Sequence, residues 1–387
     1  MQRSEHRILT THSGSLPRPR SLTALLAAKS AGRGHDEAAL AAAAREATRD
    51  VVARQLAVGI DVVNNGEVGR ESFFTYVKHR MTGFGGQSQR PVMSDLTRHP
   101  GCLEQLARSL STTENVSLMT APRAEGPVAY RGIESIEAEC AELVGLLPVS
   151  GGRRHEAFMS SPSPGIVAAA MENAFYEGFD DYLAAVSAAL AVEYRAIVSA
   201  GLLLQIDAPD LAMERHTLFQ DRPLGEFQGF VRKVIDSIRT ALDGIARDRV
   251  RLHVCWGNYG GPHDADVPLE EIWAEIANAP VGAFLVSFAN PRHAHEIRLF
   301  ERGLLPEGSL LVPGVIDTTT NYVEHPEVVA ERIERAARAV GDPSRILAGT
   351  DCGFETSAGF AAVAHDVVFE KLRSLVDGAA LASRRLF

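Results

Sequence analysis

Eight short apolar runs, separated by longer stretches with helical spacing, recur along almost the whole chain, and no other feature limits its fold as strongly. The runs are RILTTHSGS (7–15), IDVVNNGE (60–67), HEAFMSS (155–161), LLLQIDAPD (202–210), RVRLHVCW (249–256), VGAFLVSFA (281–289), LLVPGVID (310–317) and RILAGTD (345–351). Between them lie Ala- and Glu-rich segments such as 36–59 and 180–201, and PEVVAERIERAARAVG (326–341), which ends on the glycine common at helix C-termini. Strands that alternate with helices form parallel sheets, because a parallel connection needs a crossover long enough to hold a helix. Eight of them favour a closed (β/α)8 TIM barrel over an open doubly wound sheet. Residues 73–150 break the alternation and are predicted to form an irregular insertion after the second strand, with loops, a hairpin and a helix. The expectation is an α/β chain forming one domain over 1–387.

In such an architecture chemistry collects where strands end. Polar residues fall there repeatedly: His12 and Ser15, Asn65 and Glu67, Asp207 and Asp210, His253 and Cys255, Asn290 and Arg292, Asp317, Asp351 and Cys352. Any one has a plain structural use, since an aspartate after a strand often caps the next helix; Asp210 and Asp317 are candidates for that. Their concentration at one end of so many strands points to a site.

Charge narrows the partners. The net charge is −10, from 39 Lys+Arg against 49 Asp+Glu, and no dense basic tract appears. Phosphate backbones and anionic membranes demand clustered cations, so neither nucleic acid nor a membrane surface is expected. The N-terminal segment lacks a signal-peptide apolar core, and no segment is expected to reach the roughly 18 apolar residues of a membrane span. Four cysteines, at 102, 140, 255 and 352, follow no disulfide framework. A cytoplasmic protein in a reducing compartment is expected, with homo-oligomerisation left open.

His253 and Cys255 are separated by one residue, so on an extended strand both side chains point to one face. Zn²⁺ is held by imidazole nitrogen and thiolate sulfur, and a site with an open position is a catalytic one. A third ligand must come from elsewhere. Cys102 and Cys140 lie in the insertion and a helical stretch and read as buried apolar cysteines. Cys352 follows the strand RILAGTD, at the same end as His253 and Cys255. A His/Cys/Cys zinc is a poor activator of water, but a metal-bound substrate thiol is deprotonated outright and becomes a nucleophile. The chemistry suggested is alkyl transfer to a thiol rather than hydrolysis.

These residues resemble the cobalamin-independent methionine synthase family, in its short forms that match only the C-terminal catalytic barrel. TTHSGSLPRP (10–19) is similar to the first-strand segment whose Gly-Ser pair helps hold the substrate amino acid, implying Gly14 and Ser15. GIDVVNNGEVGRESF (59–73) resembles the motif whose glutamate binds the homocysteine amino group, implying Glu67, and LLLQIDAPDLAM (202–213) the segment with a substrate-binding aspartate, Asp207. HVC (253–255) and DCGF (351–354) look like the zinc motifs, implying His253, Cys255 and Cys352 as metal ligands and Zn²⁺ as cofactor. The resemblance implies a small-molecule thiol and an alkyl donor as partners. The donor is either folate-like, for methyl transfer to a homocysteine-like thiol, or an epoxide, as in the relatives that join coenzyme M to epoxides.

One departure stands out. The family places a metal-binding glutamate after the H-x-C strand, where this chain reads FLVSFANPRHAHE (284–296), with Ser287 at the matching position. Ser287 is expected to stay off the metal, with water or the substrate sulfur in the fourth place; a replacement ligand such as Glu296 or a histidine of PRHAHE would overturn that expectation. Either alkyl transfer needs an acid, for a departing amine or an alkoxide. His12, Asp207, His263 and Asp317 are the candidates, with His12 and Asp207 taken as catalytic. Arg18, Arg70 and Arg292 are the nearest cations by motif should the thiol be anionic. Two other classes remain: a metal-free lyase of the uroporphyrinogen-decarboxylase type, and a binding protein that has lost its reaction.

Overall fold

All eight apolar runs lie in the interior of the computed structural model, which describes residues 1–110, 115–118 and 121–387. Seven of them form strands: β1 (Leu9–Thr10), β2 (Phe158–Pro162), β3 (Leu203–Asp207), β4 (Val250–Val254), β5 (Ala283–Ser287), β6 (Leu310–Ile316) and β7 (Leu347–Thr350). They make one parallel sheet in the order β1-β7-β6-β5-β4-β3-β2. Every strand residue is buried, as a sheet covered by helices requires.

The run at 60–67 is not a regular strand. It touches both edges of the sheet through single parallel bridges, Thr11 with Val62 and Val63 with Ala157. The Val62 amide donates to Thr10 O (3.0 Å) and the Phe158 amide to Val63 O (2.9 Å). The reason for its brevity is local: Asn64, Asn65 and Gly66 turn the chain at once, with Asn64 Oδ1 accepting from the Gly66 amide and Asn65 Oδ1 from that of Glu67.

Helices that pack around the sheet include α1 (Glu37–Val58), α2 (Phe179–Ser199), α3 (Leu224–Ala241), α4 (Leu269–Ile276), α5 (Pro326–Val340) and α6 (His365–Leu386), and a further helix, Arg20–Ser30, precedes α1. Asp36 caps α1, accepting from the amides of Ala38 and Ala39, and Gly59 ends it at φ 93°, a conformation glycine adopts without penalty. By length and apolar composition α2 would cross a bilayer. Its stripe of Tyr182, Val186, Leu190, Tyr194 and Ile197 is instead buried, and the helix packs on α3 and β3 as a core helix does.

Two apolar cores result. A large one fills the space between sheet and helices. A small one contains Leu9, Val62, Phe158, Leu203, Ala283, Leu285, Leu310, Val312 and Leu347, so six strands, both sheet edges among them, and residue 62 contribute to a single interior cluster. In the region 73–150 the described residues hold two two-residue antiparallel ladders, 84–85 with 123–124 and 149–150 with 153–154, and helices Ser94–Arg98, Pro100–Leu110 and Ile133–Leu146. Residues 111–114 and 119–120 of that region lie outside the described residues.

Candidate metal centre and substrate pocket

Alternation along β3, β4 and β5 sets which side chains share the inner face. Leu203, Gln205 and Asp207 share one face of β3; Arg251 and His253 share one of β4, continued by Cys255; Ala283, Leu285 and Ser287 share one of β5. Register places Gln205 beside Arg251 and Asp207 beside His253. The interior therefore changes from apolar at the N-terminal ends to polar at the C-terminal ends.

Arg251 occupies the step between. It donates to Gln205 Oε1 (2.8 Å), Thr11 Oγ1 (3.0 Å) and His12 O (2.6 Å), with its guanidinium carbon 3.7 Å from the centre of the Phe158 ring. Burial lowers its pKa to about 9. Gln205 passes the arrangement upward, donating to Asp207 Oδ1 (2.7 Å), which lies 3.1 Å from His253 Nδ1.

His253 Nε2 faces the strand ends, 3.0 Å from Asp351 O. One ligand atom from each of His253, Cys255 and Cys352 lies within 4.8 Å of the others, and all three residues are buried. The Cys352 thiol donates towards Cys255, drawing the Cys255 pKa well below its usual value; His253 acts in the same direction and burial opposes both. The same contact, with burial, holds Cys352 well above. Two soft sulfurs and an imidazole backed by a carboxylate are the donor set of a catalytic zinc, so these residues fit that ion.

The three donors open onto a cavity of about 340 Å³, also lined by Ser15, Glu67 and Asp207. Glu67 sits at φ 55°, a left-handed backbone that follows Gly66. Its Oε1 accepts from Ser160 Oγ (2.6 Å), whereas Oε2 is buried without a hydrogen-bond partner. Burial and the neighbouring Asp207 carboxylate push its pKa to about 7. Gly14 does not line the cavity but makes room for this side chain: at φ 126°, a Cβ there would lie 2.3 Å from Glu67 Oε1. Ser15 is on the wall and packs against Gly353, beside Cys352.

The structure corrects the expectation for His12. Its Nε2 donates to Gln55 Oε1 (2.8 Å), its Nδ1 accepts from the Gly14 amide (3.2 Å), and burial pulls its pKa down to about 4. It is a neutral packing histidine off the cavity wall. Asp210 starts a four-residue helix without capping it, and accepts instead from Ser163 Oγ (2.5 Å). Asp317 does cap a turn, accepting from the amides of Thr319 and Thr320 (2.6 and 3.0 Å). Cys140 is buried, and burial pushes its thiol up to about 12; Cys102 differs from expectation in being only partly buried.

Arg18 donates to the carbonyls of Glu355 and Glu67, Arg70 to Ser160 O and the Glu139 carboxylate, and Arg292 to His263 O. None of the three lines the cavity. Arg90 does, paired with Glu214. Ser287 Oγ donates to Asp351 O (2.8 Å). His263, His293 and Glu296 gather elsewhere, around Asp266.

The far wall carried no sequence signal. Phe74, Met93, Leu96 and Val116 are apolar residues of the irregular region without a motif, and Phe73 and Met213 merely close segments marked for their carboxylates. Asn258 was also unmarked; it donates to Gly353 O (2.8 Å) and accepts from Thr318, bracing the turn that carries Cys352.

The family "Cobalamin-independent synthase, Catalytic domain" matches residues 8–122. Methionine synthase of Saccharolobus solfataricus is 22% identical, across 97% of this chain and 95% of its own. The 2-hydroxypropyl-CoM lyase of Xanthobacter autotrophicus is 23% identical, across 98% and 96%. Among solved structures, the B12-independent methionine synthase from Shewanella sp. W3-18-1, in complex with selenomethionine, superposes with a TM-score of 0.72 at 20% identity, covering 98% of this chain and 99% of that one. These alignments run nearly end to end: over almost its whole length the chain is similar to cobalamin-independent methionine synthases and to a 2-hydroxypropyl-CoM lyase, and its N-terminal third matches the family's catalytic-domain model.

Proposed function

We propose that the protein is a zinc-dependent thiol alkyltransferase, and that its thiol substrate carries an ammonium group, as homocysteine does. The convergence of His253, Cys255 and Cys352 on a cavity that also holds Glu67 carries this reading. The curled sheet, with residues 60–65 as an eighth member, is read as a (β/α)8 barrel with the site at its C-terminal end.

Zinc, when bound, lowers the pKa of a substrate thiol so that it reacts as the thiolate. The chain's own residues do the rest. Asp207, held by Gln205, fixes the ring of His253. The orphaned Glu67 Oε2 is the acceptor for a substrate ammonium, with Asp207 the second carboxylate on the same wall. Ser15 supplies a hydroxyl beside them. The apolar wall of Phe73, Phe74, Met93 and Met213 seats the alkyl donor and keeps water from the reacting carbon.

The choice of thiol rests on charge. A sulfonate- or carboxylate-only thiol would face Glu67 and Asp207, while Arg90, the one arginine on the wall among the described residues, is paired with Glu214. The same shortage of free cations counts against a decarboxylase-type lyase, which must grip several carboxylates. The donor is methyl-bearing in our reading; an epoxide would fit the same apolar wall. Two reduced thiols at the centre support a cytoplasmic location.

The test is zinc content and thiol binding together. Purified protein should bind homocysteine, and a panel of methyl donors and epoxides should yield a thioether with one of them. Tight binding of coenzyme M with none of homocysteine would overturn the ammonium assignment; zinc and thiol binding without turnover across the panel would leave a binding protein.

A further inference from the structure

The histidines of the 257–267 loop and of PRHAHE are not used by the thiolate site, and they form a cluster of their own. We propose that His263, Asp266 and His293, joined by His216, bind a second divalent transition-metal ion.

The donors converge. His263 Nδ1 and His293 Nε2 lie 2.8 and 2.7 Å from Asp266 Oδ2, and one ligand atom of each residue lies within 4.8 Å of the others. The far nitrogens are held as metal-bound histidines usually hold theirs. His263 Nε2 faces Tyr259 O at 3.1 Å, and His293 Nδ1 faces Glu296 Oε2 at 3.1 Å, with Glu296 fixed by the Leu269 amide. Stacking locks one ring further: His293 lies on Trp256 with centroids 3.7 Å apart and planes 11° from parallel. His263 takes a left-handed φ of 55°, so the backbone is bent to aim this side chain.

His216 supplies an independent observation. It is 1% exposed, yet both ring nitrogens lack a hydrogen-bond partner, and so does Asp266 Oδ1. His216 Nδ1 is nevertheless 2.8 Å from Asp266 Oδ1. A close N···O approach without hydrogen-bond alignment suits two ligands of one ion, about 3 Å apart when each bond is about 2.0–2.2 Å. Without an ion, His216 Nδ1 and Asp266 Oδ1 face each other as a 2.8 Å contact, and with one both become its ligands, while His216 Nε2 is without a partner either way.

Imidazoles with one carboxylate select a borderline ion such as Zn²⁺, and the absence of sulfur separates this centre from the thiolate one. The ligands come from the connections after β3, β4 and β5, so the ion would tie together three loops at the mouth of the site. The centres are neighbours: His263, His293, Ser287 and Cys352 line one cavity of about 20 Å³, room for a single water.

Metal stoichiometry tests this whether or not the enzyme turns over. Protein loaded with zinc and dialysed should hold two ions per chain. A Cys255→Ser, Cys352→Ser variant should keep one, and its melting temperature should rise on adding zinc. Loaded with Co²⁺, that variant should show visible d–d bands without the near-ultraviolet sulfur-to-metal charge transfer of a thiolate site. Asp266→Asn should lose one ion and keep the charge-transfer band; His293→Gln serves should Asp266→Asn not fold. One ion in the wild type that the cysteine variant loses, or no ion in a cysteine variant whose circular dichroism is native, overturns the proposal; one ion in both counts against the thiolate centre instead. So does unchanged stoichiometry in the Asp266 and His293 variants.

Discussion

Glu67 shows how one residue can be costly to the fold and useful to the site. Its carboxyl belongs to water at about pH 4.5 in an unfolded chain, but folding raises that value to about 7. The folded state therefore binds the proton more tightly, and stability is lost as pH climbs from 4.5 towards 7, with the full cost present above. Glu67→Gln should melt at the same temperature as the wild type at pH 4 and clearly higher at pH 8, where the difference amounts to a few kcal/mol. The same variant should bind an amino-acid thiol at least tenfold more weakly above pH 7. Unchanged affinity would remove the carboxylate from the substrate site. A second comparison separates ligand from neighbour: His253→Ala should lose thiolate-site zinc and activity, whereas Ser287→Ala, whose hydroxyl serves Asp351 O, should keep both. Cys352 was legible from its place at a strand end. Gln205 and Arg251 were not, because a polar residue inside a strand has no motif until its inward face is known.

Among elements, the strands were the readable part, since β-branched and leucine-rich runs bounded by polar turns have few other uses. The run at 60–67 misled only in its regularity: two asparagines and a glycine end it before a ladder can form. Residues 73–150 had no single period to read, because their elements are short and pack by tertiary contact. Two substitutions probe element-level reasoning. Asp36→Ala removes the acceptor for two α1 amides and should cost about 1 kcal/mol with activity unaffected. Gly14→Ala adds a Cβ against Glu67 at a backbone angle that alanine resists, and should cost about 1–3 kcal/mol. It should also weaken thiol binding like the Glu67 variant, so the paired measurements of stability and affinity distinguish it from a simple fold defect.

For the whole molecule, the thiolate centre joins the ends of β4 and β7, strands separated by β5 and β6 in the sheet. A bound ion stabilises the folded state by mass action, so chelation should lower the melting temperature in proportion to the logarithm of free zinc. The sheet is less secure elsewhere. Between β1 and β2 it is bridged, among the described residues, only at residues 62–63, through a few backbone hydrogen bonds, whereas β5–β6 and β2–β3 pair over five residues each. This seam is where thermal fluctuation should part the structure first, and Glu67 lies just beyond it, whereas Cys255 and Cys352 follow β4 and β7. Amide hydrogen exchange at residues 61–67 should therefore outpace that at 250–254 and 347–350, and it should slow selectively when an ammonium-bearing thiol spans the gap. The ligand would then act as a rivet, binding the least cooperative part of the sheet to the most cooperative part.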